Sequence, residues 1–150
     1  MKSILLSIVS FALLCLFSCE RKDCCTVISS AVEITVLNQQ GKNLLAEPAV
    51  FAKGDIEKYD VVNGAPQLYN QPHLDADKGF LLIKDVAGKE RLRLFLYHNK
   101  EEKRSRTLIK FGNTKMDTVD CEFRYSGSSV FLEKVWLNGE SKTPQFIIMK

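Results

Sequence analysis

The sequence is poor in the residues that catalytic and metal sites most often use. Only two histidines, His73 and His98, occur in 150 residues, and neither stands beside a serine or cysteine in a pattern typical of a nucleophilic site. The segment 126–129 lacks the G-x-S-x-G pattern of a nucleophile elbow. No C-x-x-C pair is present. We therefore expect no metal site, no cofactor and no enzymatic activity.

Excess charge of one sign is also lacking. The chain has 21 basic and 18 acidic residues, a formal net charge of +3, which is far from the concentrated positive charge that nucleic-acid binding requires. Nucleic acid is therefore not expected as a partner. The composition, 45% apolar and 26% charged, is that of an ordinary globular protein, and the length suits one domain.

Helical periodicity is absent between residue 30 and the C-terminus, where apolar residues recur with a period of two. Val32, Ile34 and Val36 alternate with polar residues, and Asn63-Gly64 and Asn138-Gly139 are typical of tight turns between strands. We predict an all-β fold, an antiparallel β-sandwich of seven to nine strands with an immunoglobulin-like topology as the favoured detail. The predicted strands cover residues 32–36, 55–62, 67–69, 79–86, 91–98, 107–111, 117–125, 130–137 and 145–149.

The chain begins with one long uncharged run. Met1-Lys2-Ser3 is followed by the apolar run 4–17, which is too short to span a bilayer and is typical of a secretory signal peptide. The segment Leu16-Phe17-Ser18-Cys19 resembles the lipobox of bacterial lipoproteins. This resemblance implies cleavage after Ser18 and acylation of Cys19, with membrane lipid as the partner of the modified cysteine. The alternative is an ordinary cleaved signal with an incidental cysteine.

The domain organisation follows from this reading. We predict a signal peptide at 1–18, a lipidated tether at 19–30 and a β-sandwich domain at 31–150. The expected location is the outer membrane, by lipid anchoring, on either the periplasmic or the cell-surface face.

Three of the five cysteines lie beyond the signal peptide and the anchor: Cys24, Cys25 and Cys121. An extracytoplasmic compartment permits disulfides, and a bridge from Cys24 or Cys25 to Cys121 would tie the tether to the domain. A strained bridge between Cys24 and Cys25 is a further alternative. The other interpretation is that Cys121 is a buried free thiol, because it alternates with apolar residues on one face of a predicted strand.

Four short motifs stand out in the domain: Asn43-Leu44-Leu45, Asp55-Ile56, Asp117-Thr118-Val119 and Lys134-Val135-Trp136-Leu137-Asn138-Gly139. With these motifs the chain resembles small uncharacterised lipoproteins of Bacteroidetes-type bacteria. The resemblance spans most of residues 24–140 and brings no catalytic residues with it.

Three residues are candidates for ligand binding: Trp136, Tyr69 and His73. Strict alternation puts charged and apolar residues on both faces of the strand around Trp136, so either a bulge rotates that strand or an aromatic side chain is exposed. Tyr69 and His73 lie in the polar segment 69–79, which reads as a turn-rich loop; Asp75, Asp77 and Gly79 resemble the start of a calcium loop whose later carboxylate is missing.

We expect a non-enzymatic, lipid-anchored interaction or accessory module with an unknown protein or glycan partner. A glycan-binding surface lipoprotein and an inhibitor of a secreted enzyme are the alternatives. A concave pocket that brings His73 or His98 together with carboxylates would favour a hydrolase instead.

Overall fold

The computed structural model describes residues 26–150, which form strands joined by turns and longer loops, with one 3-10 turn at Lys53–Asp55. Burial alternates along the strands Ala31–Leu37 and Ser105–Phe111 and follows the period of two in the sequence. The eleven strands are β1 (Ile28–Ser29), β2 (Ala31–Leu37), β3 (Ile56–Val62), β4 (Ala65–Leu68), β5 (Phe80–Lys84), β6 (Glu90–Phe95), β7 (Ser105–Phe111), β8 (Asp117–Ser126), β9 (Ser129–Leu137), β10 (Glu140–Lys142) and β11 (Gln145–Met149).

The strands form two sheets. The large sheet has seven strands in the order β1-β9-β8-β7-β3-β4, with β10 paired to β9 as well. The small sheet has four strands in the order β11-β2-β6-β5. β1 and β2 are separated by Ser30 alone, so the chain passes from one sheet to the other within a single residue.

The apolar core lies between the two sheets. Alternate residues of β2, β6 and β11 face alternate residues of β7, β8 and β9, and burial of these side chains is the main stabilising term of the fold. The largest fully buried side chains are Phe80, Phe111, Ile34, Ile56, Leu92, Leu94 and Ile109.

The prediction of an all-β sandwich is confirmed. Each of the nine predicted strands overlaps a strand of the structure, and the eleven observed strands include two that were not predicted, β1 and β10. These have two and three residues, too few for an alternating pattern to show. The immunoglobulin-like topology stays a prediction.

The expectation of purely antiparallel sheets is wrong for two strand pairs. β1 runs parallel to β9, and β11 runs parallel to β2. Both parallel partners lie near the ends of the described chain, where no tight hairpin dictates the strand direction. All other pairs in the two sheets are antiparallel.

A β-bulge explains why neither face of β9 is purely apolar in the sequence pattern. Glu122 is opposite Lys134, whereas the next residue of β8, Phe123, is opposite Leu132, so Glu133 is the extra residue. The insertion shifts the alternation by one position. As a result Val130 on one side of the bulge and Val135 on the other are both buried.

The first described residues are held against the large sheet. Ile28 and Ser29 pair with Val130 and Phe131, and the Val27 amide donates to Ser129 Oγ at 3.1 Å. Sheet pairing thus includes residues of the predicted tether 19–30. The predicted signal peptide and the candidate cysteines Cys19, Cys24 and Cys25 lie outside the described residues. Between residues 26 and 150 no helix is long and apolar enough to cross a membrane.

Candidate functional site

A cleft of about 400 Å³ opens at one end of the sandwich, between the two sheets. It is bounded by Lys58 and Asp60 in the middle of β3, by the residues that follow β6 and by the segment 69–79, which connects the large sheet to the small one. Its lining includes Lys58, Asp60, Tyr69, Leu74, Tyr97 and His98.

An ion pair between Lys58 and Asp60 lies in the wall of the cleft. Both side chains point inward from β3, where they continue the face that begins with Ile56. The ammonium nitrogen of Lys58 lies 2.8 Å from Oδ1 and 2.9 Å from Oδ2 of Asp60. Only the contact to Oδ2 has hydrogen-bond geometry, so Oδ1 is a buried acceptor with a charge contact but no hydrogen bond. The side chains are 3% and 14% exposed, respectively.

Burial controls the ionisation of this lysine. Removal of water from around the ammonium group lowers the pKa of Lys58 below its ordinary value of 10.5, and the hydrogen bond and charge of Asp60 oppose that shift. A buried lysine is costly unless a counter-charge is present. Asp60 supplies that charge, so the pair adds no net charge to the cleft.

Tyr69 and Gly79 enclose the lysine. The Lys58 nitrogen lies 4.1 Å from the centre of the Tyr69 ring, within the range of a cation–π contact. Gly79 has a φ of +76°, and a Cβ atom there would lie 2.5 Å from Lys58 Cδ and 2.9 Å from Tyr69 Cδ1. Only glycine satisfies both the backbone conformation and the close approach.

His98 lines the same cleft. Its ring packs against Phe123 and Tyr125 at centroid distances of 5.5 and 6.4 Å. The hydroxyl of Tyr125 is buried without a hydrogen-bond partner, and burial is the main cause of the raised pKa of this tyrosine. The cleft thus combines aromatic surface with polar groups, which is the usual character of a small-molecule site.

The nearby cysteine is a protonated thiol. Cys121 is fully buried and free, and its Sγ donates weakly to the Ser105 carbonyl at 3.6 Å. Burial, followed by the negative charges of Asp120 and Asp60, raises the pKa of Cys121 to about 12. The thiolate is the reactive form of cysteine, so this environment disfavours nucleophilic chemistry.

The three candidate binding residues do not come together. Tyr69 lines the cleft, whereas His73 is exposed on the same loop without lining it. Trp136 lies on the outer face of the large sheet, opposite Asp120, and does not close an end of the sandwich. The bulge at Glu133 explains this placement, because it turns Val135 and Leu137 toward the core and Trp136 away from it.

Other side chains of the protein contact the ring of Trp136. The Arg104 guanidinium lies 3.8 Å from the centre of its ring, and the neighbouring Asp120 binds Arg106 at 2.7 Å. One ring face is therefore covered by an intramolecular cation–π contact.

The sequence analysis missed Lys58 and Asp60, although a signal for them exists. Strict alternation places both on the face of Ile56, and a lysine on the inner face of a strand with an aspartate two residues later indicates a buried pair.

The two carboxylates of the loop 69–79 do not converge on a common site. Asp77 binds Lys53 at 2.8 Å and accepts a hydrogen bond from the Lys78 amide, while Asp75 is exposed. Over residues 26–150 no group of three or more histidine, cysteine, aspartate or glutamate side chains is placed to hold a metal ion.

Comparison with known proteins finds no match: no protein-family model, no curated protein and no solved structure matches the chain. The candidate site therefore depends on the geometry of the cleft alone.

Replacing Gly79 by alanine should destabilise the fold more than the same change at Gly88. Both residues have a φ near +75°, but a Cβ at Gly88 would meet nothing within 4 Å. The backbone strain of about 1–2 kcal/mol is common to both variants, and overpacking against Lys58 adds about 1–3 kcal/mol in Gly79→Ala. Urea unfolding measures the difference, and equal losses would contradict the close packing.

Asp60→Asn should lower the free energy of unfolding by about 3–5 kcal/mol at neutral pH, because Lys58 then lies buried without its counter-charge. Loss of the carboxylate lowers the pKa of Lys58 in the folded variant further. Above that pKa the unfolded variant binds more protons than the folded one, so the free energy of unfolding of the variant rises with pH. The difference in stability between the two proteins should shrink as the pH rises from the pKa of Lys58 in the folded variant to its pKa in the folded, unchanged protein. Urea unfolding from pH 7 to pH 10 measures it, and a deficit independent of pH would contradict the role of Lys58.

Proposed function

We propose that the protein is a lipid-anchored extracytoplasmic binding module that holds a group of its partner in the cleft beside Lys58 and Asp60. The observation that carries the proposal is this cleft, whose volume of about 400 Å³ is that of a small-molecule site. It is lined by aromatic side chains and by a polar pair without net charge.

The state of the polar groups supports binding rather than catalysis. The ammonium group of Lys58 is occupied by Asp60, and Cys121 is held as a thiol by its raised pKa. The cleft does bring His98 and the Asp60 carboxylate into one lining, the arrangement that would favour a hydrolase. However, both oxygens of that carboxylate already face Lys58 within 2.9 Å.

A glycan is the second candidate ligand. Tyr69 and Tyr97 line the cleft together with Asp60, and sugars are commonly held by aromatic surfaces with nearby hydrogen-bonding groups. No comparable observation favours the inhibitor hypothesis.

The membrane anchor is supported by the sequence. The lipobox-like segment Leu16-Phe17-Ser18-Cys19 follows an apolar run, and two or three acyl chains hold a protein on a membrane where one chain gives only reversible binding.

Cys19→Ala should abolish acylation, because the modified thiol is lost. Mass spectrometry of the N-terminal peptide measures this, and the native protein should begin at Cys19 and carry the mass of the acyl chains. Cys15→Ala is the matched control within the signal peptide and should leave acylation unchanged. An unmodified Cys19 in the native protein would contradict the anchor.

Leu74→Arg should block the cleft without unfolding the protein, because Leu74 lines the cleft yet is 55% exposed. The control is Val86→Arg, which changes a fully exposed residue in the turn between β5 and β6, at the other end of the small sheet. The full lipidated chains, immobilised in detergent, are compared for the envelope proteins and glycans that they retain.

A partner that binds in the cleft should be retained at least about tenfold less by Leu74→Arg, while Val86→Arg retains it as the native chain does. If Leu74→Arg retains the same partners as the native chain, the proposed site is wrong.

A further inference from the structure

We propose that the cleft opens toward the lipid surface and that its ligand is the uncharged sugar headgroup of a membrane glycolipid. This inference rests on the proposed function and names the ligand class and orientation of the same cleft. The juxtaposition that carries it is that the chain enters the domain at the end where the cleft opens.

The entry point is fixed by hydrogen bonds. Thr26 Oγ1 lies 2.9 Å from Ser128 Oγ, and the Val27 amide donates to Ser129 Oγ, so the chain meets the domain at the turn between β8 and β9. Four residues later, Ser30 is itself part of the cleft lining and accepts a hydrogen bond from the Leu96 amide at 2.7 Å.

The small sheet places the mouth of the cleft at this end, where the Phe95 amide donates to the Gly79 carbonyl at 3.0 Å beside Ser30. Asp60 lies further from the entry turn, because it pairs with Thr107, which pairs with Val119 near the start of β8. His98 then packs against Tyr125, just before the turn that Thr26 contacts. The cleft and the entry point therefore share one end, with these contacts connecting them.

The length of the tether limits how far this end can stand from the membrane. Thr26 is the seventh residue after Cys19, and an extended chain of that length spans at most about 25 Å. β5 has five residues and leads away from the cleft residue Gly79, so the turn that holds Val86 lies about 17 Å further along the strands. The cleft end is therefore the end that acylation at Cys19 holds close to the lipid.

The surface around the entry point suits an interface with lipid. Val27 and Ile28 are 48% and 63% exposed although both are apolar. Exposed apolar residues next to an acylated segment are stabilised when they reach the boundary between headgroups and acyl chains.

The chemistry of the cleft favours an uncharged headgroup. Asp60 neutralises Lys58 within the wall, so a phosphate would find no free cation there. A sugar ring presents hydroxyl groups for the polar part of the lining and an apolar face for the ring of Tyr97. A glycolipid presents such a ring at the height of the headgroups.

The orientation is tested with a fluorophore at Leu74→Cys or Val86→Cys in the lipidated chain, with Cys24 and Cys25 replaced by serine. Buried Cys121 is expected to stay unlabelled, which the parent without a new cysteine verifies. In vesicles whose lipids carry a headgroup spin label, quenching at position 74 should exceed quenching at position 86 by about twofold or more. Equal quenching, or stronger quenching at position 86, overturns the orientation.

The ligand is tested by thermal unfolding of the lipidated chain in phosphatidylcholine vesicles that contain a neutral monohexosyl glycolipid. The glycolipid should raise the unfolding temperature of the native chain and of Val86→Arg by a few degrees, but not that of Leu74→Arg. If phosphatidylglycerol raises the unfolding temperature equally, the ligand is not a sugar headgroup. If the free hexose at the same concentration raises it equally, the ligand need not be a glycolipid, and the proposed lipid source is wrong.

The binding function of the cleft and the identity of its ligand are tested independently. If Leu74→Arg loses its partners while the glycolipid has no effect, this inference is wrong and the proposed function stands. If Leu74→Arg keeps the same partners as the native chain, the proposed function is wrong as well.

Discussion

The pairing of Lys58 with Asp60 is the interaction on which the candidate site depends. A lysine at an inward position of β3 would be costly in the core, and the aspartate two residues later on the same face makes it tolerable. The backbone at Gly79 and the ring of Tyr69 then close over the ammonium group. Lys58 thus leaves no room for a Cβ atom at Gly79, contacts the ring of Tyr69 and forms the polar wall of the cleft together with Asp60.

The same end of the sandwich receives the chain from the tether. β1 and β2 are almost continuous, so the residues that pair with β9 lead directly into the wall of the cleft at Ser30. The bulge at Glu133 serves the other half of the large sheet, because it keeps both ends of β9 facing the core and places Trp136 outside. A membrane anchor at Cys19 would therefore act on the end of the domain that carries the cleft.

The fold was more predictable than the site, for a physical reason. Alternation along β2 and β7 and the turns at Asn63-Gly64 and Asn138-Gly139 are local signals, and the structure follows them. The cleft arises where β3 and the residues after β6 meet across the sheets, and no local pattern encodes that contact. Tyr69 was predicted from its loop, but Lys58 was missed because a strand lysine ordinarily faces solvent. The parallel pairing of β11 with β2 likewise depends on residues far apart in the chain.

The most direct measurement of the central claim is an NMR titration of the Lys58 side chain in the native protein, with Lys58→Arg used to assign the resonance. The account predicts a pKa of Lys58 below 10.5, with a further decrease in Asp60→Asn. A pKa at or above 10.5, unaffected by the change at Asp60, would show that the ammonium group is in water, and would contradict the buried pair in the wall of the cleft.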